Sequence, residues 1–242
     1  MKKFALVCGA SGAIGKAICE KLAQDGWSLY LHYSSGTSKV AVLVDRLTHR
    51  FPEQEFLAVQ ANFHAAEGAE QLTSQIFSLQ AVIFAHGHAY YGLLESTPAV
   101  EMEKLWRVHV QNPMRVTALV ASKLRANDTS YILWIGSIWG EVGAAGETVY
   151  SAVKGAQHSF VKAYAQEAAY SGIRVNVIAP GFIETGMNSQ LAKEERRAII
   201  EDIPLQKLGQ TSDVANMVSF YMSGQADYVT GQIIRVNGGW YI

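Results

Sequence analysis

Cysteine is scarce: Cys8 and Cys19 are the only two in 242 residues. Two thiols are too few for a disulfide framework or a zinc site, and they suit a reducing cytoplasm. An excess of charge of one sign is also missing. The net charge is −1, so no basic surplus advertises nucleic acid. No run approaches the ~20 apolar residues of a membrane span. The short apolar run before Gly9 falls short of a signal peptide's core. The expectation is a cytoplasmic protein that binds neither membrane nor nucleic acid. No repeat, low-complexity tract or linker divides the chain, so one domain over residues 1–242 is expected.

What is present alternates between two periods. Apolar runs at Phe4–Cys8, Ser28–Tyr33, Glu55–Gln60, Ala81–Ala85, Tyr131–Ile135, Ile173–Ala179 and Ile233–Val236 read as strands. Between them, helical spacing covers Ile14–Gln24, Val40–Arg50, Ala65–Phe77, Pro98–Leu124, Glu147–Tyr170, Ser189–Glu201 and Ser212–Tyr221. Pro113 is expected to kink the fourth of these or to separate two helices. Strands apolar on both faces, alternating with helices, predict an α/β fold with a parallel sheet covered on both sides. Such sheets bind ligands beyond the carboxyl ends of their strands.

Three stretches carry chemistry. Tyr150 and Lys154 stand at i and i+4 on a predicted helix and share one face. A phenol titrates near ~10, and an ammonium held beside it favours the phenolate. Ser137, thirteen residues before Tyr150, can hold a carbonyl oxygen while a proton passes. Taken alone, the Tyr–Lys spacing is also what any exposed helix carries. The turn Gly9-Ala-Ser-Gly12-Ala-Ile-Gly15 follows a predicted strand and opens a predicted helix, which suits a pyrophosphate. It is otherwise a tight turn and no more. The second strand ends in Tyr33-Ser34-Ser35 without a carboxylate, where an acidic residue would hold the ribose of NAD. Hydroxyls, His32 and Lys39 there suit a 2′-phosphate, so NADP is preferred to NAD; a plain polar loop reads the same way.

With these residues in place, the chain resembles the short-chain dehydrogenase/reductase family. The resemblance spans nearly the whole chain. It rests on the glycine turn, Ser137, Tyr150-x-x-x-Lys154, Arg174-Val-Asn-Val-Ile-Ala-Pro-Gly181 and Thr230-Gly-Gln-Ile-Ile-Arg-Val-Asn-Gly-Gly239. It implies a single Rossmann-type doubly wound domain with a seven-stranded parallel sheet, an NADP(H) cofactor, no metal, and a homotetramer paired through its long helices and C-terminal strands. It implies that Tyr150 is the general acid in ketone reduction. Lys154 would hold the nicotinamide ribose and lower the tyrosine pKa, and Ser137 would orient the carbonyl. Gly9, Ser11, Gly12, Ile14 and Gly15 would line the pyrophosphate, and Tyr33, Ser34, Asn62, Ala85 and Gly87 the adenosine half. Pro180, Gly181, Ile183 and Thr185 would form the strip against the nicotinamide. His88, Tyr91, Trp139 and Met187 would surround the substrate.

The chain departs from the family pattern at several positions. Cys8 replaces the usual threonine, Ala85-His86-Gly87 replaces Asn-Ala-Gly, and Asn62 replaces an adenine-contacting aspartate. His109 stands where the family places the asparagine of a proton relay; it either keeps that relay or is a core histidine outside it. These features, with Ser137-Ile-Trp139 and the Trp240-Tyr241 ending, resemble a small bacterial branch that reduces a ketone on a modified lysine of elongation factor P. That branch implies a pocket for an amine-bearing arm. Glu141, Glu147 or Glu184 would pair with the ammonium, and Trp139, Tyr90, Tyr91 or Trp240 would flank the chain. The alternatives are a 3-oxoacyl-acyl-carrier-protein reductase and a non-catalytic dinucleotide-binding sensor.

Overall fold

Side chains alternate across each strand, and in the inner strands both sets are largely apolar and buried, while the edge runs Phe56–Gln60 and Ile233–Val236 stay partly exposed. The structure, a computed structural model, describes residues 2–186 and 192–241. Strands β1 (Phe4–Cys8), β2 (Ser28–Tyr33), β3 (Phe56–Gln60), β4 (Ala81–Phe84), β5 (Ser130–Ile135), β6 (Ile173–Pro180) and β7 (Ile233–Val236) form one sheet. Its order is β3-β2-β1-β4-β5-β6-β7, and every neighbouring pair is parallel. Val7, Leu29 and Leu31 face helices α1 (Ala13–Gln24), α2 (Thr37–Arg50) and α9 (Thr211–Tyr221) through Ile18, Leu43 and Val218. Leu6, Val82 and Trp134 face α3 (Gly68–Thr73), α5 (Asn112–Arg125) and α7 (Thr148–Ala168) through Leu72, Val120 and Val161. The direction of winding reverses between β1 and β4, which opens a crevice beyond their carboxyl ends. No helix among the described residues is long and apolar enough to cross a membrane.

The expected helices differ from the structure in three places. The predicted helix at Ala65–Phe77 is helical only over Gly68–Thr73. The helix expected from Ser189 runs Lys193–Asp202 (α8); residues 187–191 lie outside the described residues, and so does Met187. Pro113 does not break the long stretch at its own position. Helix α4 (Ala99–Trp106) passes through a π-helical turn, Arg107–Gln111, into α5, where Pro113 occupies the first turn. A proline has no N–H to donate to the carbonyl four residues back, here His109. That carbonyl instead accepts a bond from the Gln157 side chain of α7 at 2.7 Å.

Candidate active site

The glycine turn closes on itself. Gly15 lies so near the start of the turn that a Cβ there would stand 2.1 Å from the Gly9 carbonyl oxygen. Gly9, at φ +86°, presses on the His86 backbone. No side chain caps α1, and no acidic residue enters its first turn, so its N–H groups are free for an anion. A cavity of about 750 Å³ opens there. Gly9, Ser11 and Gly12 line one side, Ser34 and Asn62 a second, and Ala85, Gly87 and His88 a third. A bare helix N-terminus in a cavity of this size, with serine and asparagine side chains on its walls, fits a dinucleotide. Replacing Gly15 by alanine is expected to lower dinucleotide affinity about tenfold to a hundredfold, matching the ~1–3 kcal/mol cost of overpacking a filled site. A fluorescence titration reads this directly, and unchanged affinity removes the turn from the binding site.

Several expected residues take other places. His32 is buried, bonded to the Gly9 N–H and the Ala61 carbonyl, and stacked on Phe63. Burial pushes its pKa down to about 4, so it is neutral and is no counter-charge for a phosphate. The exposed hydroxyls of Ser34 and Ser35 remain at the strand end. Ile14 and Tyr33 lean on the core. His88, expected beside the substrate, lines the nucleotide cavity. His86, of the Ala85-His86-Gly87 departure, lines it too, as do His64 and Lys104, which no sequence motif marks. Trp240, one of the residues expected to flank a substrate arm, is buried within the chain against Trp139.

The reacting groups gather beyond β5. The chain leaves that strand at Ile135 and places Ser137 next to Pro180 at the end of β6, where the Ile138 N–H donates to the Pro180 carbonyl at 3.1 Å. Pro180 leads into Gly181, whose N–H bonds the Val236 carbonyl, and then to buried Ile183 and half-buried Thr185. Helix α7 brings Tyr150 beside Ser137. Burial first, then the Glu147 carboxylate and Tyr91, pushes the Tyr150 pKa up; the neighbouring Ser137 hydroxyl pulls it down. Lys154 is buried one turn further along, 5.5 Å from the Tyr150 ring centroid, with its Nζ donating to the Ile135 carbonyl at 2.9 Å. Burial pushes its pKa down to about 7. Its Nζ lies at the Tyr150 ring, where an ammonium favours the phenolate whenever the amine is protonated.

His109 stands edge-on to Tyr150, with ring centroids 5.6 Å apart. Its Nε2 bonds the His88 carbonyl at 2.9 Å. A carbonyl only accepts, so the tautomer with the proton on Nε2 is assigned. Nδ1 is then a buried acceptor without a protein partner. Burial, and next the Lys154 charge, keep the ring neutral. The ring fills the open face of Gly87 (φ +147°): a Cβ at that position would lie 2.3 Å from His109 Cε1. Gln157 completes this arrangement and was not singled out in the sequence. Its signal was a polar residue on the buried face of α7, between Val153 and Val161.

A glycine cradle at the switch point of a doubly wound sheet, with a Ser–Tyr–Lys set beyond the next strand, defines a dinucleotide-dependent oxidoreductase. The chain belongs to the short-chain dehydrogenase/reductase family: the family profile described as enoyl-(acyl carrier protein) reductase matches residues 9–241. It is 40% identical over 242 residues to an uncharacterized oxidoreductase, YmfI, of Bacillus subtilis, covering 100% of both chains. It is 31% identical to the 3-oxoacyl-[acyl-carrier-protein] reductase FabG of Staphylococcus epidermidis, again over 100% of both. Among solved structures, a blue fluorescent protein from a metagenomic library, in complex with NADPH, superposes with a TM-score of 0.92 at 27% identity, over 99% of this chain and 98% of that one.

Proposed function

We propose that this protein is an NADP(H)-dependent carbonyl reductase acting on a ketone. The observation that carries this reading is Tyr150 with buried Lys154 at its ring, 5.5 Å from the centroid, and Ser137 beside it. Bound NADPH supplies a hydride to the carbonyl carbon. The Ser137 and Tyr150 hydroxyls hold the carbonyl oxygen, and Tyr150 gives it the proton that completes the alcohol. Its raised pKa keeps that proton in place until an alkoxide, a far stronger base, develops. Lys154 then offers its ammonium to the phenolate left behind. His109 shares in returning the proton through its unpartnered Nδ1 acceptor.

Gly9, Ser11, Gly12 and Gly15 take the pyrophosphate on the α1 N-terminus, with Ile14 behind them. Tyr33 and Ser34 take the phosphorylated ribose, and Asn62, Ala85 and Gly87 the adenosine side. Pro180, Gly181, Ile183 and Thr185 take the nicotinamide. The NADPH-bound relative supports the choice of NADP over NAD, as does the absence of a carboxylate at the end of β2.

The substrate of this reading is the 5-aminopentanone-modified lysine of elongation factor P, reduced in the cytoplasm by a homotetramer. Exposed Trp106 and Met114 on the long helices support pairing there, and a solution mass of four 26.5 kDa chains tests it. The second reading, a 3-oxoacyl-acyl-carrier-protein reductase, is favoured by the Staphylococcus relative. Loss of NADPH absorbance with modified elongation factor P and with an acetoacetyl thioester separates them. Turnover of the protein-bound ketone is the expected result. Turnover of the thioester alone selects the second reading. Tight NADPH binding with no turnover of any carbonyl selects a dinucleotide sensor.

A further inference from the structure

Helix α7 carries another buried polar side chain on the face of Tyr150 and Lys154. His158 lies one turn beyond Lys154 and two beyond Tyr150. It is 3% exposed, and neither ring nitrogen has a hydrogen-bond partner among the described residues. A buried polar ring without partners costs stability that an apolar side chain would not. Burial keeps the ring uncharged, with its pKa pushed down to about 4.

What the ring touches is the loop that carries Ser137. A Cβ at Gly136 would stand 2.6 Å from His158 Nε2, and one at Gly140 would stand 2.7 Å from His158 Cε1. The glycines on either side of Ser137 thus close on the outer edge of one ring. Gly140 also rests on α7 itself, where a Cβ would be 2.8 Å from the Lys154 carbonyl carbon. The other side of the loop is pinned to β6. There the Gly136 N–H donates to the Ile178 carbonyl at 2.8 Å, and the Ile138 N–H to the Pro180 carbonyl at 3.1 Å. A loop held between a sheet and a ring at these distances has no slack, and close packing passes any shift of one to the other.

We infer that His158 is a positioning residue, which fills the notch between Gly136 and Gly140 and so sets Ser137 against Tyr150. This rests on the reductase reading and adds to it a residue that acts through Ser137. One helix then carries the acid, the amine and the support of the serine loop. A displacement of α7 moves all three together, and the two hydroxyls that hold the carbonyl oxygen keep their spacing.

The test is a double-mutant cycle in single-turnover NADPH oxidation at saturating NADPH. The ketone is whichever the wild-type protein reduces, that of modified elongation factor P or the acetoacetyl thioester. His158→Ala empties the notch and is expected to slow the chemical step about 10- to 100-fold, the scale of a misplaced catalytic group. NADPH affinity is expected to stay within about threefold. Ser137→Ala is expected to slow the step about 100-fold, the loss of one donor to the developing alkoxide. In the Ser137→Ala background, His158→Ala is expected to cost less than about threefold more, because the ring then has no hydroxyl to place. A role in stability alone gives no such dependence on Ser137. His158→Leu is the second variant, for the case in which His158→Ala does not bind NADPH. Its side chain stops short of the ring's outer edge, so the same dependence is expected with a smaller loss. Wild-type rates in the His158 variants overturn the inference, and so does loss of NADPH binding in both. Losses that multiply in the double variant overturn it too and leave the reductase reading standing. No turnover of either ketone by the wild-type protein overturns the reductase reading and this inference with it.

Discussion

Tyr150→Phe lowers the rate of ketone reduction by about 10²- to 10⁴-fold, the range of a positioned general acid. The substitution removes one oxygen and little else. The ring keeps its edge contact with His109 and its packing beside Val153 and Leu105. Ser137 keeps its bond from the Trp139 N–H. Stability is therefore expected to change by no more than about 1 kcal/mol, the net worth of one hydrogen bond. Dinucleotide affinity is expected to stay within about threefold, a change of well under 1.4 kcal/mol. Single-turnover NADPH oxidation measures the chemical step, and a melt with a fluorescence titration checks the rest. Full activity in the phenylalanine variant moves the acid to another residue. Lost activity with lost binding makes Tyr150 a structural residue.

Acid is expected to unfold the ligand-free protein over an unusually high range. His32 and His158 are both buried, and burial pushes each pKa from 6.5 down to about 4. Between pH 6.5 and 4 the unfolded chain binds protons at these positions and the folded chain does not. Stability therefore falls as pH drops through that window, and His86, which burial pushes down to about 3, and buried His109, lowered too, carry the loss below it. Each group contributes on the order of 3 kcal/mol at neutral pH, a large share of the ~5–15 kcal/mol that holds a domain together. The carboxylates whose pKa is lowered, such as Glu70 and Glu101, sit in exposed pairs that are worth little. Histidines thus set the acid limit. Urea melts at pH 7, 6, 5 and 4 are expected to show most of the loss above pH 4. His158→Leu is expected to reduce it, because neither ring nitrogen of His158 has a partner to lose. A stability flat down to pH 4 contradicts the neutral burial of these rings.

The sheet was legible because its strands need only be apolar on both faces. The Ser28–Tyr33 and Ile233–Val236 runs match β2 and β7 at both ends. The family's motif residues were legible for the same reason that the cradle works, since Gly9 and Gly15 must be small to close. What escaped lies in side chains that reach across the fold. Nothing near Gln157 in sequence announces a partner at His109, 48 positions away. That bond reaches a carbonyl that Pro113, lacking an N–H, cannot serve, a relation visible only once the two helices are laid together. The charge state of Lys154 escaped for a different reason. Its spacing from Tyr150 is written in the chain, but its burial is not, and burial decides its pKa. Among the three carboxylates, sequence had no means to see that arginines 94 and 12 positions away occupy Glu141 and Glu184.

The packing of His109 on Gly87 carries an evolutionary consequence. The imidazole and any side chain at position 87 compete for the same volume, with 2.3 Å between a new Cβ and the ring. Two positions far apart in the chain are thereby bound into one heritable unit. A smaller residue at 109 would remove the clash but not the strain of a side chain at φ +147°, so enlarging position 87 meets two separate barriers, and the imidazole is only one of them.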